Sequence, residues 1–211
     1  MRNVPFFSNT DDDTHCVQAV FRMALKYFLP KSDFSWQELD RMSKKQPAEG
    51  TWWFPMIAEF KKLGINSTYI EAFDYQKYFV EGDSYLEAFY GKETAAWFAT
   101  KSNIKDVRNL IPEFLSGTDL INRPATLTDI VDLLDDGWLV GAEINTKILL
   151  GQPGFNGHMV LIYDHKDNDF IVHDPGLPAR PHRSIDKQKF GQSWMYSGSE
   201  KAALVAFKKG N

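Results

Sequence analysis

Residues Cys16–Phe28 read CVQAVFRMALKYF, apolar on nearly every side, with Arg22 and Lys26 the only charges. A segment of this kind is a helix surrounded by other elements, not one lying at the surface. Asp13 or Thr14 is placed to cap its start. Helical signals also cover Trp36–Ser43, opened by Ser35, and residues 54–63, where Gly64 is a stop signal before a strand at Ile65–Ile70. Residues 75–90, 104–115 and 127–134 carry further helical patterns. In the last of these, Thr126 or Thr128 precedes the segment, Ile130, Val131, Leu133 and Leu134 give an apolar face, and Gly137 ends it.

After Gly137 the period changes. Residues 138–144, 158–164, Asp169–Asp174 and 202–207 read as strands separated by Gly, Pro, Asn and Asp clusters. A helical first part followed by a stranded second part predicts an α+β fold. In GHMVLIYD and DFIVHDP both alternating faces are mainly apolar, which predicts two strands inside the sheet. A three-residue loop at 165–167 would pair Asp164 with Asn168 and set His158 directly opposite Asp174. Directly opposed residues share a face with Cβ atoms about 5 Å apart, close enough for an imidazole nitrogen to meet a carboxylate.

The chain has 211 residues, 43% of them hydrophobic and 25% charged, an ordinary globular composition that excludes collagen-like, coiled-coil and fully disordered readings. With no repeat and no linker, one domain over residues 1–211 is the simplest parse. The 24 basic residues against 28 acidic ones give a net charge of −4 with no basic stripe, which argues against nucleic acid or anionic lipid as partner. The opening MRNVPFFSNTDDD lacks a signal-peptide pattern, and no apolar run reaches the roughly 18 residues that span a bilayer, so the sequence predicts a cytoplasmic protein without a membrane segment.

Cys16 is the one cysteine, which excludes an internal disulfide and a Cys-rich zinc site and leaves burial or thiol chemistry. It lies at the start of the buried helix, where free N–H groups and the helix dipole favour an anion. A histidine that takes the thiol proton and returns it to a leaving group, itself oriented by a carboxylate, would complete a nucleophilic site. The acidic run Asp11 to Asp13 would oppose a thiolate unless its side chains face water, which is the expectation. Taken singly, each residue has a plainer role: Cys16 as a small core residue, Asp174 before Pro175 as a turn residue, His158 as a core histidine.

Other chemistries fit less well. Asn9, Asp11 and Asp13 have the oxygen spacing of a calcium loop, but Thr14 stands where that loop needs Gly and Val20 where it needs Glu. His158 and His165 fall on opposite faces of a continuous strand, and His173 points away from Asp174, so a histidine metal site is not expected. His15 adjoins Cys16, and neighbouring side chains on a helix do not face each other. The aromatic residues Trp52, Trp53, Phe54, Tyr85, Phe89, Tyr90 and Trp97 read first as core and second as a wall for a substrate groove. No phosphate-cradling glycine loop is present.

The segment VPFFSNTDDDTHCVQAVFRMALKYF resembles the opening of the bacteriocin-processing, double-glycine-leader peptidases, cysteine-peptidase family thirty-nine and its stand-alone relatives. The run LLDDGWLVGAEIN followed by GHMVLIYDHKDNDFIVHDPG is similar to that family's helix, Gly turn, strand, His-initiated strand, polar turn and strand ending in Asp-Pro. Residues 30–125 are compatible only in pattern. The resemblance implies a papain-like fold with Cys16 as nucleophile, His158 as general base and acid, and Asp174 as the orienting carboxylate. Two positions depart from it. Six residues before the cysteine the family has a Gln whose amide helps form the oxyanion hole; here Thr10 stands there, and Asn9 is the substitute amide beside the Cys16 N–H. Val17 replaces the Gly that follows the cysteine. The implied activity is peptide or amide hydrolysis through an acyl-thioester, with no cofactor and no metal. An acyltransferase with the same triad and a binding member that has lost activity are the alternatives.

Overall fold

The structure is a computed structural model that describes residues 2–47 and 49–210. Its first half is largely helical: α1 (Cys16–Phe28), α2 (Trp36–Ser43), α3 (Phe54–Lys62), β1 (Ile65–Ile70), α4 (Tyr75–Glu81), α5 (Asp83–Tyr90), α6 (Lys92–Lys101), α7 (Ile104–Val107), α8 (Ile111–Gly117) and β2 (Asp119–Ile121). The second half carries α9 (Leu127–Asp135), β3 (Leu139–Asn145), α10 (Thr146–Leu149), β4 (Gly157–Lys166), β5 (Asp169–Asp174), β6 (Arg180–Asp186), α11 (Lys187–Trp194) and β7 (Leu204–Lys209). The strands form one α+β sheet in the order β2-β1-β7-β3-β4-β5-β6, with β1 and β2 parallel and the other neighbours antiparallel.

Apolar side chains on both faces of the sheet explain its helical cover. On one face Leu161, Tyr163, Val205 and Phe207 share a core with Val20, Phe21 and Met23 of α1 and with α3. On the other, Val140, Ile144, Val160 and Ile162 pack with Ile130 of α9 and with Phe190 and Trp194 of α11. Burying one such side chain contributes about 1.5–3 kcal/mol. Six residues of α1 between Ala19 and Leu25 are fully buried, so the helix that begins at Cys16 is fixed by packing.

Capping follows the sequence signals at α2 and α9. Ser35 and Glu38, and Thr126 and Asp129, exchange side-chain and backbone hydrogen bonds as reciprocal capping boxes. At α1 the expectation is corrected. Neither Asp13 nor Thr14 caps it; the N-cap residue is His15, without a side-chain cap. The chain reaches the helix through a turn with Asp13 at φ 56°, and Asn9 Oδ1 accepts the His15 N–H at 2.7 Å.

Other corrections have physical causes. The helix expected over 75–90 is broken at Gly82, whose φ of 61° leaves the right-handed helical region. The helix over 104–115 is interrupted by a tighter turn at Arg108–Leu110. Helix α6, absent from the sequence reading, buries only Ala95 and so carries almost no apolar stripe. Strand β6, RPHRSID, is a polar edge strand with one buried residue, Ile185, and no alternation announces it.

The hairpin that carries His158 and Asp174 also differs from expectation. The loop is the two residues Asp167 and Asn168, with Lys166 paired to Asp169. Continued without interruption, that register would turn His158 and Asp174 to opposite faces. A bulge intervenes: Asp164 pairs with Ile171 but Ile162 with Val172, which leaves Tyr163 as the extra residue. Beyond it Leu161 pairs with His173, a register that, carried past the end of β5, would set Gly176 opposite His158. His158 and Asp174 therefore meet as diagonal neighbours on one face, not as a directly opposed pair.

Candidate active site

Cys16 is the first residue of α1 and is partly exposed. With no side-chain cap on the helix, its N–H has no intrahelical acceptor. His158, at the start of β4, lies beside Cys16, whose side chain acts on its ring. On its other side its Nε2 donates to Asp174 Oδ1 at 2.8 Å, which leaves Nδ1 as the nitrogen for Cys16. The His158 and Asp174 side chains are 7% and 5% exposed, and Asp174 holds further partners. The Gly176 N–H donates to Oδ1 at 3.1 Å, and Arg183 Nη1 donates to Oδ2 at 2.7 Å. Gly176 is pressed against the pair: a Cβ there would lie 3.1 Å from Asp174 Oδ1 and 3.2 Å from His158 Nε2.

This surrounding sets the charges. Burial alone would lower the His158 pKa, but the hydrogen bonds to Asp174 and Cys16, with their charges, outweigh it and raise it to about 10. Burial would raise the Asp174 pKa, and the bond and charge of His158, the Gly176 N–H and Arg183 bring it instead to about 2. An imidazolium and a carboxylate are the favoured forms at neutral pH. Glu143 of β3 lies near enough for its charge to feel His158; its carboxyl pKa is raised by burial, and its Oε1 accepts the Tyr196 hydroxyl at 2.7 Å.

Asn9 is buried beside this site with its amide committed on both ends. Its Oδ1 accepts the N–H groups of Thr10 at 2.9 Å and His15 at 2.7 Å, which fixes the amide orientation. Its Nδ2 donates to Asp13 Oδ1 at 2.7 Å. Thr10, six residues before the cysteine, directs its hydroxyl to Asp12 and to His15 Nδ1. Asp11, Asp12 and Asp13 are exposed, as the reading of that acidic run anticipated. His15 turns from His158 toward Asp40, with Nε2 3.2 Å from Oδ1, and stands edge-on to Trp36.

The remaining histidines are also placed. His173 is fully buried, donating from Nε2 to the Val4 carbonyl and accepting the His182 N–H at Nδ1, on the side away from Asp174. His165 reaches Asp135. Trp52, Tyr85, Phe89 and Tyr90 crowd around Phe73 with ring centroids 5.1–5.8 Å apart, a core cluster from which Trp97, 48% exposed, stands out. A surface groove of about 430 Å³ is lined by Phe7, Asn9, Arg22 and Trp36 among others, and neither Cys16 nor His158 borders it. Among the described residues no helix is long and apolar enough to cross a membrane.

Arg183, Gly176 and Glu143 lie outside the set of residues that the sequence singles out. Arg183 comes from the unannounced edge strand, the contacts of Gly176 depend on the bulged β4–β5 register, and Glu143 stands on the regular β3–β4 ladder beside the His158 position. The Asp-Pro-Gly sequence, 174–176, was the available hint for the glycine.

An α+β sheet with a buried helix laid across it is the fold of the papain-like C39 peptidase domains. The chain belongs to the Peptidase_C39-like family, whose sequence profile matches residues 1–202. Two solved structures share the fold. The peptidase domain of Streptococcus ComA, a bi-functional ABC transporter involved in a quorum sensing pathway, is 15% identical with a TM-score of 0.52, over 97% of this chain and 98% of that one. A putative C39-like peptidase from Bacillus anthracis is 13% identical with a TM-score of 0.56, over 98% of this chain and 95% of that one. Comparison with curated protein sequences gives no match.

Proposed function

We propose that the whole chain is one catalytic domain, a cysteine peptidase or amidase in which Cys16 attacks the carbonyl of a peptide or amide and forms an acyl-thioester. The observation that carries this reading is His158, hydrogen-bonded to Asp174 on one side with Cys16 acting on its ring from the other. His158, held as the imidazolium, accompanies the thiolate and donates its proton to the departing amine. The acyl-enzyme is then attacked by water, with the neutral imidazole as base; the proton it takes stays on His158 as the C–S bond breaks and sulfur leaves as the thiolate, which restores the starting pair. Asp174 fixes the ring so that Nδ1 faces the sulfur throughout.

Negative charge that develops on the carbonyl oxygen needs donors already aimed at it. The Cys16 N–H at the open helix start is one; the second N–H of the Asn9 amide, beyond the one given to Asp13, is the other. A metal has no part in the scheme, because both ring nitrogens of His158 are engaged by Asp174 and Cys16. The single thiol suits a reducing compartment, and the cytoplasm is the proposed one.

The test is acyl-enzyme trapping. Incubation with an activated peptide ester or amide, acid quench and intact-mass spectrometry should give a thioester adduct on Cys16 that decays to free enzyme in water, with or without a chelator. No adduct from a panel of peptide esters and amides, on a folded protein, would overturn the reading.

A further inference from the structure

We propose that Arg183 is a positioning residue for this site, holding Asp174 by its second oxygen so that the first remains directed at His158; the proposal rests on the catalytic reading above. Asp174 is 95% buried in the sense that its side chain is only 5% exposed, and its two oxygens are served from opposite strands. Oδ1 accepts from His158 of β4 and from the Gly176 N–H, and Oδ2 accepts from Arg183 of β6 at 2.7 Å. Arg183 pairs in register with Val172, two residues before Asp174 on the same face, and a register shift separates that pair from Asp174 and Arg180. Arg183 and His158 are thus diagonal neighbours of the carboxylate on its two sides.

The physical need is specific. A buried carboxylate oxygen without a donor is costly to keep ionised, and a carboxylate held at one oxygen only can rotate about its Cβ–Cγ bond. Arg183 removes both problems with one charge-assisted bond. The other charged or titratable groups around the pair are few. Strand β4 supplies His158, β6 supplies Arg180 across the ladder, α1 supplies Cys16 through His158, and β3 supplies Glu143, whose charge feels His158. His173, next in sequence, is turned to Val4 and His182, and Lys187 of α11 lies over Phe170 near the other end of β5.

The experiment compares wild type with Arg183→Met, Arg183→Gln and Arg183→Lys. Two readouts are taken: the titration of the Asp174 carboxyl by carbon NMR of aspartate-labelled protein, which does not depend on turnover, and the pH profile of kcat/KM. In Arg183→Met the carboxyl should titrate higher, and the acid limb of the profile should move up by about one unit, a tenfold effect at a fixed acidic pH, with KM nearly unchanged. Arg183→Lys should return both toward wild type. Arg183→Gln, which keeps a neutral donor and loses the charge, should resemble Met and carries the comparison if the Met variant fails to fold. An Asp174 titration unmoved in folded Met or Gln protein overturns the proposal. If wild type proves to have no turnover, the catalytic reading fails on the profile while the carboxyl titration still judges the Arg183 contact.

Discussion

The backbone N–H of Asn9 donates to the carbonyl of Pro175 at 2.7 Å, tying the loop that leads into Cys16 to the turn that leaves Asp174. Residues 166 positions apart in the chain are thereby held at one place. The same asparagine orders the approach to α1 through its side chain, with Oδ1 on two N–H groups and Nδ2 on Asp13. Asn9 has a structural task whatever it does for an oxyanion.

That double task shapes its test. Asn9→Ala removes the oxyanion donor and also the acceptor for His15, so lost activity alone would not separate the two. The exchange Asn9→Asp with Asp13→Asn preserves an amide-to-carboxylate bond between the positions and keeps an acceptor for the His15 N–H, but has no N–H left at position 9. Turnover of the exchanged protein should fall by about 10²-fold or more, the scale for one oxyanion donor, with a melting temperature near wild type. Full activity in the exchanged protein would remove Asn9 from the oxyanion hole.

A thiol in contact with an imidazolium should react fast and with a distinctive pH dependence. Iodoacetamide should label Cys16 more rapidly than a free thiol at mildly acidic pH, and His158→Ala should abolish the difference. Because the His158 pKa is raised, the imidazolium's favourable contacts are fully present below its unfolded value of about 6.5 and are lost as pH rises through about 10. The lowered Asp174 pKa gives the opposite edge: its contribution is present above the ordinary carboxylate range and lost as pH falls through about 2. Nitrogen NMR of labelled histidine should find His158 doubly protonated at pH 8. A neutral ring there would contradict the assignment.

How far the sequence led depends on the strength of local signal. Helix α1 was legible to its end residues because thirteen positions contain only two charges, and α2 because Ser35 opens it, a cap that Glu38 completes in the structure. Strands β4 and β5 were legible from apolar residues on both faces. The meeting of His158 and Asp174 was anticipated, but through the wrong register. The two-residue turn and the Tyr163 bulge shift the pairing by two positions in total, an even number, so the shared face survived. Arg183 could not be reached this way, since its strand is a polar edge and its contact depends on a second register shift.

Away from the site, Glu71 offers a stability test. Burial pushes its carboxyl up to about 7, opposed by the hydroxyl of Tyr75, which donates to Oε2 at 2.8 Å, and by a bond from Tyr69. For a carboxyl with a raised folded pKa, the neutral form is the one that suits the fold. Its contribution is therefore present below the ordinary value of 4.5 and lost as pH rises through about 7. Glu71→Gln should melt near wild type at pH 5 and above it at pH 8, by up to about 3 kcal/mol. Equal melting temperatures at pH 8 would show that the ionised side chain finds solvent.

Gly176 separates catalysis from stability most directly. Its φ is not in the left-handed region, so alanine suits the backbone, and by restricting the unfolded chain the substitution alone would favour folding by about 0.4–1 kcal/mol. Space is the obstacle. The added Cβ would stand 3.1 Å from Asp174 Oδ1 and 3.2 Å from both Cε1 and Nε2 of His158, tighter than ordinary contact. The ring and the carboxylate are nearly fully buried, so relief requires a shift of a few tenths of an ångström in the pair or in the 174–176 turn. Either movement lengthens the His158 to Asp174 bond or displaces Nδ1 from the sulfur, and small misplacements of reacting groups reduce turnover by about ten- to a hundredfold. Gly176→Ala should therefore lose kcat by about that factor, slow the labelling of Cys16, and keep a melting temperature within a few degrees of wild type. Wild-type kcat and labelling in this variant would mean that the turn yields without moving the pair, and that the His158 to Asp174 geometry tolerates a side chain at position 176.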